Sequence, residues 1–190
     1  MSIGNLKHGY LYYPIPKSGS TTVILTLEKY YGGEAFDPGK KIPDRYNMAM
    51  PPGYEDVFKF TVCRNPYERA VSVWWHLVFT LKDRYGYVKQ VGPRLHNFIF
   101  FLKWLKGKHN QLNRIAWDAH KYVRNVDRVI KLCDLHTEFK QLPFYTGEPA
   151  DVPVLNKSGH DMTSKYLTGE AKRLIYEIYR EDFERFGYVR

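Results

Sequence analysis

The sequence predicts an α/β fold, a parallel β-sheet flanked by helices in a single domain over residues 1–190. Short apolar runs of strand length recur along the chain, and each is followed by a segment with helical spacing. The length of 190 residues and a hydrophobic content of 44% suit one packed core. No internal repeat, low-complexity tract or linker interrupts the pattern. Folds of this class bind ligands beyond the carboxyl ends of their strands, so the strand-to-helix junctions are where chemistry is expected.

The first predicted strand is Gly9-Tyr10-Leu11-Tyr12-Tyr13, ended by Pro14 and Pro16. A loop leads into a helix from Ser20 to Tyr31, with Val23, Leu27 and Tyr30 on one face. Gly32-Gly33 stops it. Residues 34–54 are rich in proline and glycine and read as loop. Val57–Val62 is the second strand. Arg64-Asn65-Pro66 forms a turn, and Pro66 is suited to the first helical position. The helix it opens carries Ala70, Val71, Trp74, Trp75 and Val78 on its apolar side. Further helical patterns occupy about 94–106 and 111–122. Arg128–Leu132 is the third strand, after which Asp134 caps a short helix. Residues 143–160 read as loop. Thr168 is a good N-cap for the last helix, whose stripe is Ala171, Leu174, Ile175, Ile178 and Tyr179.

Composition narrows the function classes. The N-terminus has no apolar signal core, and the longest apolar stretch, Asn97–Leu105, is too short for a bilayer and contains Lys103. The expectation is a cytoplasmic protein with no membrane span. Two cysteines, Cys63 and Cys133, form neither a disulfide framework nor a metal-ligand pattern, so both read as buried thiols and no metal site is expected. The net charge of +9 is concentrated. Residues 82–131 hold twelve Lys or Arg against Asp83, Asp118 and Asp127, and the rest of the chain balances. Such a segment attracts anions.

Two motifs sit at predicted strand ends. Lys17-Ser18-Gly19-Ser20-Thr21-Thr22 joins a strand to a helix N-terminus, where free N–H groups and the helix dipole favour an anion. Gly19 permits close backbone approach, Lys17 adds a full charge, and the hydroxyls add donors. The Gly-Lys-Ser/Thr ending of a Walker A loop is absent. The second motif is Arg64-Asn65-Pro66-Tyr67-Glu68-Arg69-Ala70-Val71-Ser72. Arg64 can fork onto a phosphate at the sheet edge, and Ser72 lies about two helical turns on. Arg69 reads as pairing with a carboxylate or packing along its helix.

Together these motifs resemble those of sulfotransferases that use 3'-phosphoadenosine 5'-phosphosulfate (PAPS). The first is similar to that family's 5'-phosphosulfate loop and the second to its 3'-phosphate motif. Val154–Ser158 and the segment from Tyr166 to Tyr188 resemble the closing part of carbohydrate-type members. The family often has a glutamate where Cys133 falls. The resemblance implies a P-loop-NTPase-like sulfotransferase fold. It implies transfer of a sulfuryl group from PAPS to a hydroxyl or amine, with 3'-phosphoadenosine 5'-phosphate (PAP) as product and no metal. Lys17 would stabilise the bridging oxygen, Ser18, Gly19, Ser20, Thr21 and Thr22 would hold the 5'-phosphosulfate, and Arg64 and Ser72 the 3'-phosphate. Lys157 or Ser158 would close over the nucleotide. For the general base Glu34 is preferred to His76, with Asp37 behind them. The basic segment is expected to face a hydroxylated, anionic acceptor such as a glycan. Nucleic acid is not an expected partner. A kinase-like enzyme and a non-catalytic nucleotide or nucleic-acid binding module are the other readings.

Overall fold

In the computed structural model, residues 2–36, 50–80, 86–112, 114–123, 125–152 and 163–190 are described. In chain order the strands are β1 (Ser2–Asn5), β2 (Tyr10–Tyr13), β3 (Glu34–Phe36), β4 (Phe58–Cys63) and β5 (Arg128–Lys131). The α-helices are α1 (Ser20–Tyr31), α2 (Pro66–Trp75), α3 (Tyr87–Val91), α4 (Phe98–Leu105), α5 (Leu135–Phe139), α6 (Thr163–Tyr166), α7 (Gly169–Ile178) and α8 (Arg180–Phe186). The chain divides into two compact units, each discontinuous in sequence: residues 1–64 with 121–157, and 65–120 with 158–190.

The first unit holds the sheet, in the order β3-β1-β2-β4-β5. β2 pairs parallel with β4, and β4 with β5. The expectation of a wholly parallel sheet is corrected here, because β1 pairs antiparallel with both β2 and β3 and the sheet is mixed. β1 has the sequence Ser-Ile-Gly-Asn and no apolar run, so its pairing comes from the hairpin into β2 and not from its own composition. Its Gly4 is required by space: a Cβ there would lie 2.6 Å from the Tyr54 ring and 2.8 Å from the Tyr10 carbonyl. β3 turns the start of the expected 34–54 loop into an edge strand.

β2 is buried along its whole length, as a central strand covered on both faces must be. Tyr10 and Tyr12 point into a cluster with Val23, Leu27 and Tyr31 of α1, Phe60 and Val62 of β4, and Phe139 of α5. Phe144 stacks on Tyr10 at 4.3 Å between ring centroids. Leu11 and Tyr13 join Tyr54 in a second cluster, as the two-residue alternation of a strand requires. α1 ends where Gly32 adopts a left-handed φ of 57° and its N–H bonds the Leu27 carbonyl.

The second unit is helical. Pro66 sits in the first turn of α2, and the Asn65 side chain accepts the Tyr67 N–H at 2.9 Å. The α-helix expected to run through Val78 gives way to a π-helical turn, His76–Thr80. Thr168 caps α7 by accepting the Ala171 N–H, and Ala171, Leu174, Ile175 and Ile178 are its buried stripe, as the sequence predicts. The helical pattern expected over 111–122 is instead a series of 3-10 turns. The reason is competition for the backbone. Arg69 donates to the Trp117 and Ile115 carbonyls at 2.7 and 3.2 Å. Asp182 accepts the N–H groups of Ala119 and His120, both at 2.8 Å. Tyr179 donates to the Ala116 carbonyl at 2.9 Å. These side chains take groups that a continuous helix would have paired internally.

Candidate active site

The register explains why two distant motifs share one place. Tyr13 lies opposite Thr61, and Cys63 opposite Lys131. The three parallel strands therefore run to the same end of the sheet, β2 stopping two residues short of the other two, and the segments that follow them leave from that end. After β2 come Pro14–Gly19, after β4 comes Arg64, and after β5 come Leu132–Asp134.

Lys17 holds a φ of 64°, a left-handed conformation that is uncommon for a residue with a side chain. Such strain concentrates at functional sites. Burial pushes the Lys17 ammonium below the ordinary lysine range, and the neighbouring Arg64 charge pushes it further. The two cations thus lie near enough to repel each other. Ser18 is fully buried, and its Oγ has no hydrogen-bond partner among the described residues. Gly19 is the N-cap of α1, in the left-handed region at φ 76°, and supplies no side-chain cap. The first turn of α1 therefore receives no side-chain cap. A Cβ on Gly19 would lie 2.6 Å from Leu132 Cδ1. Leu132, the residue after β5, thus packs against the loop, a contact the sequence did not indicate. Ser20 is half-buried, Thr21 exposed and Thr22 buried along the first turn of α1.

An uncapped twelve-residue helix, an unpartnered buried hydroxyl and two mutually repelling cations fit one class of ligand, a multiply charged anion with several oxygens. The sulfotransferase family model matches residues 3–189, nearly the whole chain. The chain belongs to the sulfotransferase family. No curated protein and no solved structure matches it. Sulfuryl transfer is the family's chemistry, so this sulfotransferase is a transferase.

The other predicted positions are distributed as follows. Ser72 lies on α2 in the second unit and is 6% exposed; its carbonyl accepts the His76 N–H. His76 is half-buried one turn later, at the start of the π-helical segment. Glu34 does not sit on a loop. It is exposed on β3, opposite Gly4, which is itself opposite Leu11. That register puts it two strand spacings, about 10 Å, to the side of β2, and short of the edge where the anion loop leaves. Its carboxylate reinforces the burial that already raises the Tyr54 hydroxyl pKa. Lys157, Ser158 and Asp37 lie outside the described residues. Cys63 is buried as expected, but Cys133 is exposed on the turn after β5, because only Leu132 of that turn faces inward.

Arg69 has the carboxylate partner its sequence context suggests. It is 1% exposed, with Asp182 at 3.8 Å. Asp118, His120 and Asp182 offer ligand atoms within 4.8 Å of one another. Their lone pairs are already committed. Asp182 serves two backbone N–H groups and faces Arg69, and Asp118 accepts from Asn110 at 2.8 Å with His109 at 3.2 Å. Burial alone would raise the Asp118 carboxyl, but the hydrogen bonds from His109 and Asn110 outweigh it and hold the group below the usual range. This cluster fastens the fold. No helix among the described residues is long and apolar enough to cross a membrane.

Proposed function

We propose that the protein transfers a sulfuryl group from PAPS to a hydroxyl or amine of a carbohydrate acceptor. The observation that carries this reading is the meeting of Lys17 and Arg64 at the uncapped start of α1, with the Ser18 hydroxyl buried and unpartnered between loop and helix. When bound, PAPS supplies the sulfuryl group and a phosphate leaving group; members of the family generally use it.

The chain's own residues would act in three ways. Lys17 would donate to the oxygen on which charge develops, and its strained backbone and partial burial hold the ammonium in place. Ser18 Oγ and the N–H groups of Gly19 to Thr22 would hold the 5' end of the nucleotide, while Arg64 and Ser72 read the 3'-phosphate. No metal is needed for these roles. For proton removal from the acceptor, His76 is favoured over Glu34. His76 shares a helix with Ser72 one turn away, whereas Glu34 belongs to an edge strand.

Calorimetric titration with PAP, ADP and ATP in the absence of metal tests the nucleotide. PAP should bind at least about tenfold more tightly than ADP, and Arg64→Ala should abolish that preference, since a charge-assisted contact of about 1.5–3 kcal/mol is removed. Equal binding of all three nucleotides, or dependence on Mg²⁺ with a preference for ATP, would discard the reading in favour of a binding module or a kinase-like enzyme.

A further inference from the structure

Lys17 holds a left-handed φ of 64°, a conformation that a residue with a side chain keeps only where its surroundings over-determine it. Two backbone bonds brace the loop from within. The Ser18 N–H donates to the Ile15 carbonyl at 3.3 Å, and the Gly19 carbonyl accepts the Val23 N–H at 3.3 Å. The Ser18 side chain is fully buried, yet its Oγ bonds nothing among the described residues. A further support comes from outside the loop. A Cβ on Gly19 would lie 2.6, 3.6 and 3.7 Å from Cδ1, Cδ2 and Cγ of Leu132. The end of the leucine thus fills the space beside Gly19 where a side chain would stand.

Leu132 can act as a stop because of what stands behind it. It opens the 3-10 turn Leu132–Asp134 after β5, and its carbonyl accepts the Leu135 N–H, which joins that turn to α5. Its side chain packs on the core cluster that holds Val23 and Leu27 of α1, Ile130 of β5, and Leu135 and Phe139 of α5. Cys133 and Asp134, the next residues of the turn, are exposed, so Leu132 makes the turn's inward contact. One side chain therefore links the core to the loop. A leucine carries no charge and offers no hydrogen bond to an anion, so what it can govern is the shape of the loop. We propose that Leu132 is a positioning residue for the transfer reaction. It wedges the Lys17–Gly19 loop into the strained conformation that receives the 5' end of the nucleotide. The inference rests on the PAPS reading and adds the residue that sets the loop's shape before the nucleotide arrives. Without it the loop would hold its binding conformation only part of the time, and affinity would fall by that fraction.

The test is calorimetry on the whole protein with two nucleotides: PAP, and adenosine 3'-phosphate, which lacks the 5'-phosphate that the loop would hold. Leu132→Ala should weaken PAP about tenfold, as for a loop that is competent about one-tenth of the time. Leu132→Val removes the Cδ atoms that face Gly19 but keeps a branched apolar side chain, so it folds even if the alanine variant does not. It should weaken PAP about threefold. Leu132→Met, close to leucine in volume, should return PAP affinity to within about twofold of wild type. Adenosine 3'-phosphate, indifferent to the loop, should bind every variant within about twofold of wild type. A side chain that merely packed would move both nucleotides together or neither. Unchanged PAP affinity in Leu132→Ala and Leu132→Val, or equal weakening of the two nucleotides, would overturn the inference and leave the nucleotide reading standing. Failure of PAP to bind the wild-type protein would overturn the nucleotide reading, and the inference with it.

Discussion

Arg64 and Arg69 belong to one sequence motif, and the structure treats them in opposite ways. Arg69 is buried, faces Asp182 and donates to two backbone carbonyls; its surroundings are completed by Asp182's own bonds to Ala119 and His120. Arg64 is half-buried at a sheet edge where its charge meets that of Lys17, beside a buried serine hydroxyl that bonds nothing described. In the first region Arg69 and Asp182 are answered from within the chain. In the second the buried Ser18 hydroxyl has no answer among the described residues. Fold-holding polar networks are complete, and ligand-holding ones are left incomplete until the ligand arrives.

The comparison is sharpest at Asp182. Asp182→Ala leaves a buried guanidinium and two backbone N–H groups unpaired, so a loss of about 3–5 kcal/mol is expected, read by urea unfolding. Combining it with Arg69→Met should cost less than the sum of the two single changes, since the charge left stranded is then gone. Additive losses would mean that the pair is not coupled.

At Lys17 stability and activity should move in opposite directions. Lys17→Met should lower turnover by about 10²–10³-fold. The unliganded protein should melt higher, by roughly 2–4 °C if about 1 kcal/mol is recovered. The sign follows from the lowered lysine pKa. Its charged form is favoured in the unfolded chain, so the folded protein carries a penalty below that lowered value, relieved as pH rises towards the ordinary lysine range. A variant that melts lower would show that Lys17 is a packing residue after all.

The smallest change is at Gly19. Gly19→Ala meets Leu132 Cδ1 and forces a left-handed φ on alanine, for about 1–3 kcal/mol in stability. Adding Leu132→Ala should return the steric share and leave the backbone share. If the double variant recovers nothing, the cost lies in the φ alone.

The central elements were legible because their signals are local. β2, β4 and β5 are apolar runs, α1 stops at a glycine pair, and α2 and α7 open on Asn65-Pro66 and Thr168. The positions of the Lys17–Gly19 loop and of Arg64 followed, since a strand end and a helix start define them. β1 and β3 were not legible, because four and three residues carry too little pattern and their pairing is set across the sheet. Glu34 was misplaced for that reason. The segment 111–122 has a helical pattern that Arg69 and Asp182 override from elsewhere in the sequence. The exposure of Trp75 was hidden because an apolar position on a helix reads as core whether or not anything covers it.

The contact between Gly19 and Leu132 has a consequence for how the protein is made. Loop and strand end come from opposite halves of the chain, and β4 must wait for β5 to supply its second parallel neighbour. A nascent chain emerging from the ribosome therefore presents Lys17 and its hydroxyls long before the residue that presses the loop into shape. Closing so long a loop is slow and entropically costly, so the packed Lys17–Gly19 loop is among the last things this polypeptide acquires.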